Sequence, residues 1–421
     1  MQRSAMIIGA IGVAVGISIG LAVGFSYTAT DAAAPAAAPE QAMERMGPSG
    51  TIDIGVVLPA TGDLSSHGYD NGLAAELALV DFNRYLDEID AGWELNLVVE
   101  DSQADPIVAL EKIQSLNSKG VKLVLGTETS AELRNVKSYA ESNGMLLISP
   151  SSTSPALAID DNIFRLVPDD TQQGRVLARL LQTQEVTAAI PVYRGDVWGD
   201  GLYESTKSSF ESFGGTFDEG IRYSPESTVF STEAHLLNEK LGVYLQDRPA
   251  SEVAIIMIGF EEAVHFFNAA SSYDDLSTVL WIGTDSLANN GQLTEDPITA
   301  EFVEGVGFIS AQFAASQNDQ HDHVKEVLTE QIGSSPNNYA YSSYDSVWLF
   351  GMSILQLQTD DPGLIMEALP TVAEHYSGSL GTIILNDAGD LAVSDYELYS
   401  IRDGEWVFYG LYKAETGEII T

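Results

Sequence analysis

From residue 51 onward, short apolar runs alternate with amphipathic stretches. The runs at 52–58, 95–99, 122–125, 145–148 and 163–167 are apolar almost throughout, the pattern of strands buried on both faces of a parallel sheet. Helices are predicted between them. Leu73, Leu77, Val80 and Phe82 mark one that runs to about Tyr85. Asp105 and Pro106 open the next with a capping acid and a first-turn proline, and Ile113 and Leu116 carry its apolar face. Over 131–143, Leu133, Val136 and Ala140 fall on one side, and Gly144 is the stop. A second series begins at Thr171: a helix to Gln184, a strand over 188–193, a helix ended by Gly214 and Gly215, and strands over 220–223, 253–258 and 279–283. Helices through Leu236, Leu237 and Leu241 and over 261–271 separate the last three. The stretch 339–357 is long and amphipathic, and 383–421 is rich in strand pattern.

Two successive α/β series, each too short for a barrel, predict two Rossmann-like lobes with a cleft between them. The expected lobes are 51–168 with about 310–382, and 169–309 with about 383–421. In a right-handed βαβ unit the strands over 122–125 and 145–148 end at the same sheet edge, where open α/β sheets bind ligands. Two hydroxyl-rich turns follow them, Gly-Thr-Glu-Thr-Ser at 126–130 and Ser-Pro-Ser-Ser-Thr-Ser at 149–154. Hydroxyls and free N–H groups at helix starts suit a carboxylate or another small anion. Capping and turn-building are the competing use of the same residues.

Composition narrows the partners. Lys+Arg number 19 against 61 Asp+Glu, a formal charge of −42, which disfavours nucleic acid. Cysteine is absent, so there is no disulfide, thiolate metal site or cysteine nucleophile. Residues 5–25 carry no charge behind Arg3 and are about long enough to cross a bilayer. Residues 1–30 are therefore expected to be a membrane anchor or a cleaved signal, with the acidic body outside the cell. An Ala/Pro linker is expected over 31–50. No G-x-S-x-G, H-E-x-x-H, Walker or G-x-G-x-x-G motif occurs in a context that would support an enzyme. His321-Asp322-His323 reads as solvated surface in preference to a metal site, and residues 386–390 read as a turn. Neither a metal nor a cofactor is expected.

Several segments together carry a resemblance: Gly-Val-Val-Leu-Pro-Ala-Thr-Gly at 55–62, Gly68 with the helix leading to Asp81-Phe82-Asn83, Ser-Pro-Ser-Ser-Thr-Ser-Pro at 149–155, Trp198-Gly199-Asp200-Gly201, and Gly381 through Gly389-Asp390. In this order they resemble the type I periplasmic binding proteins, and among them the branched-chain amino-acid (Leu/Ile/Val) receptors of ABC importers. The resemblance implies two lobes joined by a three-segment hinge, and a ligand gripped through Ser130, Ser151, Ser152 and Thr153. It implies that Asp285 pairs with the ligand's ammonium and that His67, Trp198 and Phe260 line the cleft. An amino acid of the branched-chain type is the implied ligand, with amides, urea or aromatic acids as alternatives. The implied partners are ABC permease and ATPase subunits; a sensory input domain is the competing role. Asp285 is shorter than the acid common in the family, Phe260 lacks a hydroxyl common there, Trp198 is bulkier than the usual tyrosine, and Ala74 replaces a glycine.

Overall fold

The computed structural model describes residues 47–421. The expected span at 1–30 and most of the linker at 31–50 lie outside the described residues. Among those described, no helix is long and apolar enough to cross a membrane.

The first series runs β1 (Gly50–Leu58), α1 (Ser65–Glu88), β2 (Trp93–Asp101), α2 (Pro106–Ser118), β3 (Leu123–Gly126), α3 (Ser130–Ser142), β4 (Leu146–Ser149) and β5 (Ile163–Arg165). The five strands form an all-parallel sheet in the order β2-β1-β3-β4-β5. Alternate strand residues feed two cores. Val57, Val124 and Leu147 meet Ile113, Leu116 and Val136 of α2 and α3 on one face, while Val56, Leu125 and Ile148 meet the α1 side on the other.

The second series runs α4 (Asp170–Thr183), β6 (Ala188–Arg194), α5 (Val197–Ser212), β7 (Thr216–Phe217), β8 (Ile221–Tyr223), α6 (Ser231–Tyr244), β9 (Val253–Ile258), α7 (Ala263–Ala270), β10 (Leu280–Gly283), α8 (Gln292–Glu295), α9 (Pro297–Gly305) and β11 (Ile309–Phe313). Then come α10 (Asp319–Ile332), α11 (Tyr339–Leu357), α12 (Pro362–His375), β12 (Ser377–Gly378), β13 (Gly381–Thr382), β14 (Tyr396–Arg402), β15 (Glu405–Lys413) and β16 (Glu418–Ile420). The second sheet has the order β16-β15-β14-β11-β10-β9-β6-β7, with β8 also on β6. Strands β6 to β11 are parallel, and β14 to β16 extend the sheet antiparallel. Both sheets therefore reverse strand order beside their first strand, β1 or β6, and a crevice opens there at the strands' C-terminal ends.

The chain returns to the first lobe for α10 to α12, where α11 packs along α1. β11 pairs with β10 and β14, so the chain stays with the second sheet to Phe313. Residues 383–391 stay with the first lobe, because Arg165 N–H donates to the Gly389 carbonyl at 3.0 Å and Leu391 N–H to the Arg165 carbonyl at 2.9 Å.

On α1, Phe82 is buried and Leu73 and Leu77 pack against the core as expected, but Val80 does not. Val80 is exposed, and Ala74, Ala75 and Ala78 with Phe82 and Leu86 face inward. Small residues there let α11 approach closely, which a count of large apolar residues misses. His321 is buried and stacks on Tyr341 at 4.3 Å, so it is not solvated surface, whereas Asp322 is exposed and His323 is part-exposed with its Nε2 2.9 Å from Asp81 Oδ2.

One buried charge pair ties the segments together. The Arg165 guanidinium meets Asp390 in a bidentate pair, and its Nη1 donates to the carbonyls of Ser154 at 2.8 Å and Ser152 at 3.2 Å. Both side chains are about 1% exposed. The pair clamps the 149–154 turn to the returning 386–391 segment, and either partner alone would leave an uncompensated buried charge. Arg165→Met is expected to lower the unfolding free energy by about 3–5 kcal/mol in a denaturant titration; a loss under about 1 kcal/mol would show that the clamp is not structural.

Candidate functional site

The crevice is built from loops at the C-terminal ends of strands in both lobes. Leu64 and His67 follow β1, Glu128, Thr129 and Ser130 follow β3, and Ser151 and Thr153 follow β4. From the other lobe, Trp198 follows β6, Phe260 follows β9, and Asp285 and Ser286 follow β10. Tyr339, the first residue of α11, completes the wall. Two glycines let the loops come close. A Cβ on Gly68 would sit 1.9 Å from the Pro59 carbonyl oxygen, and one on Gly199 would sit 2.0 Å from that of Arg194.

On the first lobe the two turns are stitched together. Ser130 Oγ lies 2.9 Å from Ser152 Oγ and accepts from Ser154 N–H at 3.1 Å. Ser151 Oγ donates to the Glu128 carbonyl and Ser149 Oγ to that of Thr127, each at 2.7 Å. Thr129 caps α3 in a capping box: its Oγ1 accepts from Glu132 N–H at 3.1 Å, while the Glu132 carboxyl accepts from Thr129 N–H at 2.7 Å. Hydroxyls therefore build the turns as well as line the crevice. The N-terminus of α3 leaves the N–H groups of its first residues, Ser130 and Ala131, without helical partners, and its dipole favours an anion.

On the second lobe Asp285 is buried, with one oxygen accepting from Ser286 N–H at 2.9 Å and the other from the Tyr339 hydroxyl. Burial raises its pKa, against the pull of those hydrogen bonds. Asp170 accepts from Thr153 Oγ1 at 2.9 Å, and burial and then the charge of Asp285 push its pKa well up. Burial pushes Glu128 up to about 8, with its carboxyl held by the Asn71 amide at 2.9 and 3.0 Å. Burial lowers His67 to about 4, so its ring is neutral at pH 7. Among the described residues no lysine or arginine lines the crevice. Arg194 lies over the Phe260 ring at 4.6 Å and is taken up by Glu262 and Asp196, each at 2.8 Å.

The structure brings His67, Ser130, Ser151, Thr153, Trp198, Phe260 and Asp285 to one crevice. Trp198 and Phe260 stack at 4.7 Å and form one aromatic plate. Ser152 is the exception: it lies behind the wall, bonded to Ser130. Thr129 comes to the crevice with the 126–130 turn as expected, whereas a role for the Glu128 carboxyl and the presence of Tyr339 were not expected. In that turn the sequence reading weighed the hydroxyls and passed over the acid. Tyr339 has no local signal, since it arrives by the chain's return to the first lobe.

The lobes also touch around the crevice. Ser66 N–H and hydroxyl both donate to Glu261, Glu261 N–H donates to the Asp63 carbonyl at 3.2 Å, and Ser154 Oγ donates to the Val197 carbonyl at 2.7 Å. The open volume between them is about 20 Å³, room for about one water. A solute of amino-acid size does not fit in this arrangement of the lobes.

The family model described as the receptor family ligand binding region matches residues 71–404. An uncharacterised protein of Methanocaldococcus jannaschii is 27% identical over 387 residues, covering 87% of this chain and 91% of its own. Leu/Ile/Val-binding protein homolog 3 of Brucella melitensis is 22% identical, covering 85% of this chain and 93% of its own. The crystal structure of a leucine binding protein from Thermotoga maritima superposes with a TM-score of 0.74 at 20% identity, covering 87% of this chain and 99% of that one. The two-lobed architecture and these matches agree: the chain belongs to the receptor family ligand binding region, with the type I periplasmic binding protein fold of the branched-chain amino-acid receptors.

Proposed function

We propose that the protein is an extracytoplasmic solute-binding protein that captures an amino acid by lobe closure and hands it to an ABC permease. The observation that carries this reading is the opposition across one crevice of the α3 N-terminus, with its turn hydroxyls, and the buried Asp285. A zwitterion needs both: N–H donors for its carboxylate and an acid for its ammonium. A buried acid without a cation beside it is costly, and an ammonium offsets that cost. Trp198 and Phe260 would cover the ligand from the second lobe, Ser130, Ser151 and Thr153 from the first.

Nothing in this reading calls for covalent chemistry. Contacts available only in the shut form shift the population towards it when ligand is present, and micromolar capture corresponds to about 8 kcal/mol. In this reading the lobes are residues 51–168 with about 314–391, and 169–313 with about 392–421, and the uncharged segment at 5–25 tethers the body to the membrane. The relatives bearing Leu/Ile/Val-binding names support the amino-acid class.

Asp285→Asn keeps an acceptor for Tyr339 and removes the charge. It is expected to weaken binding of the amino acid found in a thermal-shift screen by about 100-fold in calorimetry, and an unchanged affinity would remove the ammonium role. Glu261→Ala deletes the Ser66 contact that holds the lobes together. Stopped-flow fluorescence should show dissociation several-fold faster with little change in the association rate; equal dissociation rates would mean that this contact does not stabilise the shut form.

A further inference from the structure

The crevice has a polar corner that a zwitterion's head groups do not account for. His67 is 3% exposed, lines the crevice, and its Nε2 is buried with no hydrogen-bond partner. Asn71 stands four residues further along α1 on the same face, and its amide holds the Glu128 carboxyl, which also lines the crevice. The Tyr339 ring closes the corner, 5.9 Å from the His67 ring. Each of these groups is on the first lobe.

We infer that His67 and Glu128 form a side-chain subsite, and that the amino acid captured has an uncharged side chain bearing a hydroxyl or carboxamide, as in serine, threonine or asparagine. This rests on the amino-acid reading above. An aliphatic side chain pressed into the corner would leave the buried His67 nitrogen without a partner and offer the Glu128 carboxyl nothing beyond Asn71, costing about tenfold or more in affinity relative to a side chain that bonds them. A hydroxyl or amide satisfies both, since each can donate and accept. Acidic side chains are disfavoured by the acids already present and by the lack of a lining lysine or arginine among the described residues. Burial keeps Glu128 protonated at neutral pH, which matches an uncharged partner better than an ammonium.

Calorimetric titration of the full chain with L-serine, L-threonine, L-asparagine, L-leucine and L-valine tests the subsite. At least one polar amino acid should bind about tenfold or more tightly than leucine and valine. Glu128→Leu should reverse that order, His67→Phe should reduce the ratio, and Glu128→Gln, which still pairs with Asn71, should keep it. If Glu128→Leu does not fold, the wild-type ratio with the other two variants decides. Leucine or valine binding as tightly as every polar amino acid would overturn the subsite and leave the amino-acid reading standing, as would variants that weaken all five alike. Binding of none of the five or of the other amino acids would overturn both.

Discussion

Asp285 sits in the crevice with its oxygens held by Ser286 and Tyr339, while burial works against its charge. Much of the surrounding arrangement follows from that tension. Asp170 lies near enough to be raised by the Asp285 charge, and Thr153 bonds Asp170, so the first-lobe turn is tied electrostatically to the second-lobe acid. The two arginines near the site are committed elsewhere, Arg165 to Asp390 and Arg194 to Glu262 and Asp196. In the proposed reading a cationic ligand group supplies the missing charge, and a low-dielectric crevice makes it worth more than it would be on the surface.

The turns show why the same residues can serve two purposes. Ser130, Ser151 and Thr153 each spend a hydroxyl on holding the turns in place, and Arg165 fixes the carbonyls of the same loop from behind. What remains for a ligand is a set of backbone N–H groups and spare lone pairs that need no reordering when it arrives. Ordering entropy was met when the chain folded, and so does not detract from binding. Capping and ligand-gripping are therefore not competing explanations for this serine-rich stretch; the first makes the second rigid.

Most of the fold was legible because buried parallel strands write themselves as unbroken apolar runs. The runs at 122–125 and 145–148 became β3 and β4 within one residue, and the hydroxyl turns after them were placed at the right sheet edge. Legibility failed where long-range geometry decides. The alanine face of α1 exists because α11 lies against it, and α11 is more than 250 residues away in sequence. Residues 383–391 return to the first lobe because Asp390 meets Arg165, a pairing with no local signature. Tyr339 reaches the crevice by the same return. Glu128 was in view all along, and was missed because an acid in a turn is ordinarily a solvated one. Only the Asn71 amide and the surrounding burial make it part of a wall.

The charge of the whole chain bears on the ligand separately from the charge of the crevice. With 61 acidic residues against 19 lysines and arginines, the surface potential repels a solute that carries a carboxylate alone, and slows its approach. A zwitterion has no net charge for that field to act on, and its ammonium is favoured as it nears Asp285. The same field would draw in a fully cationic solute, but such a solute has no use for the α3 N-terminus and its anion seat. On the amino-acid reading, surface and crevice would thus select on different features of the same molecule, the first against net negative charge and the second for an anion and a cation held a fixed distance apart.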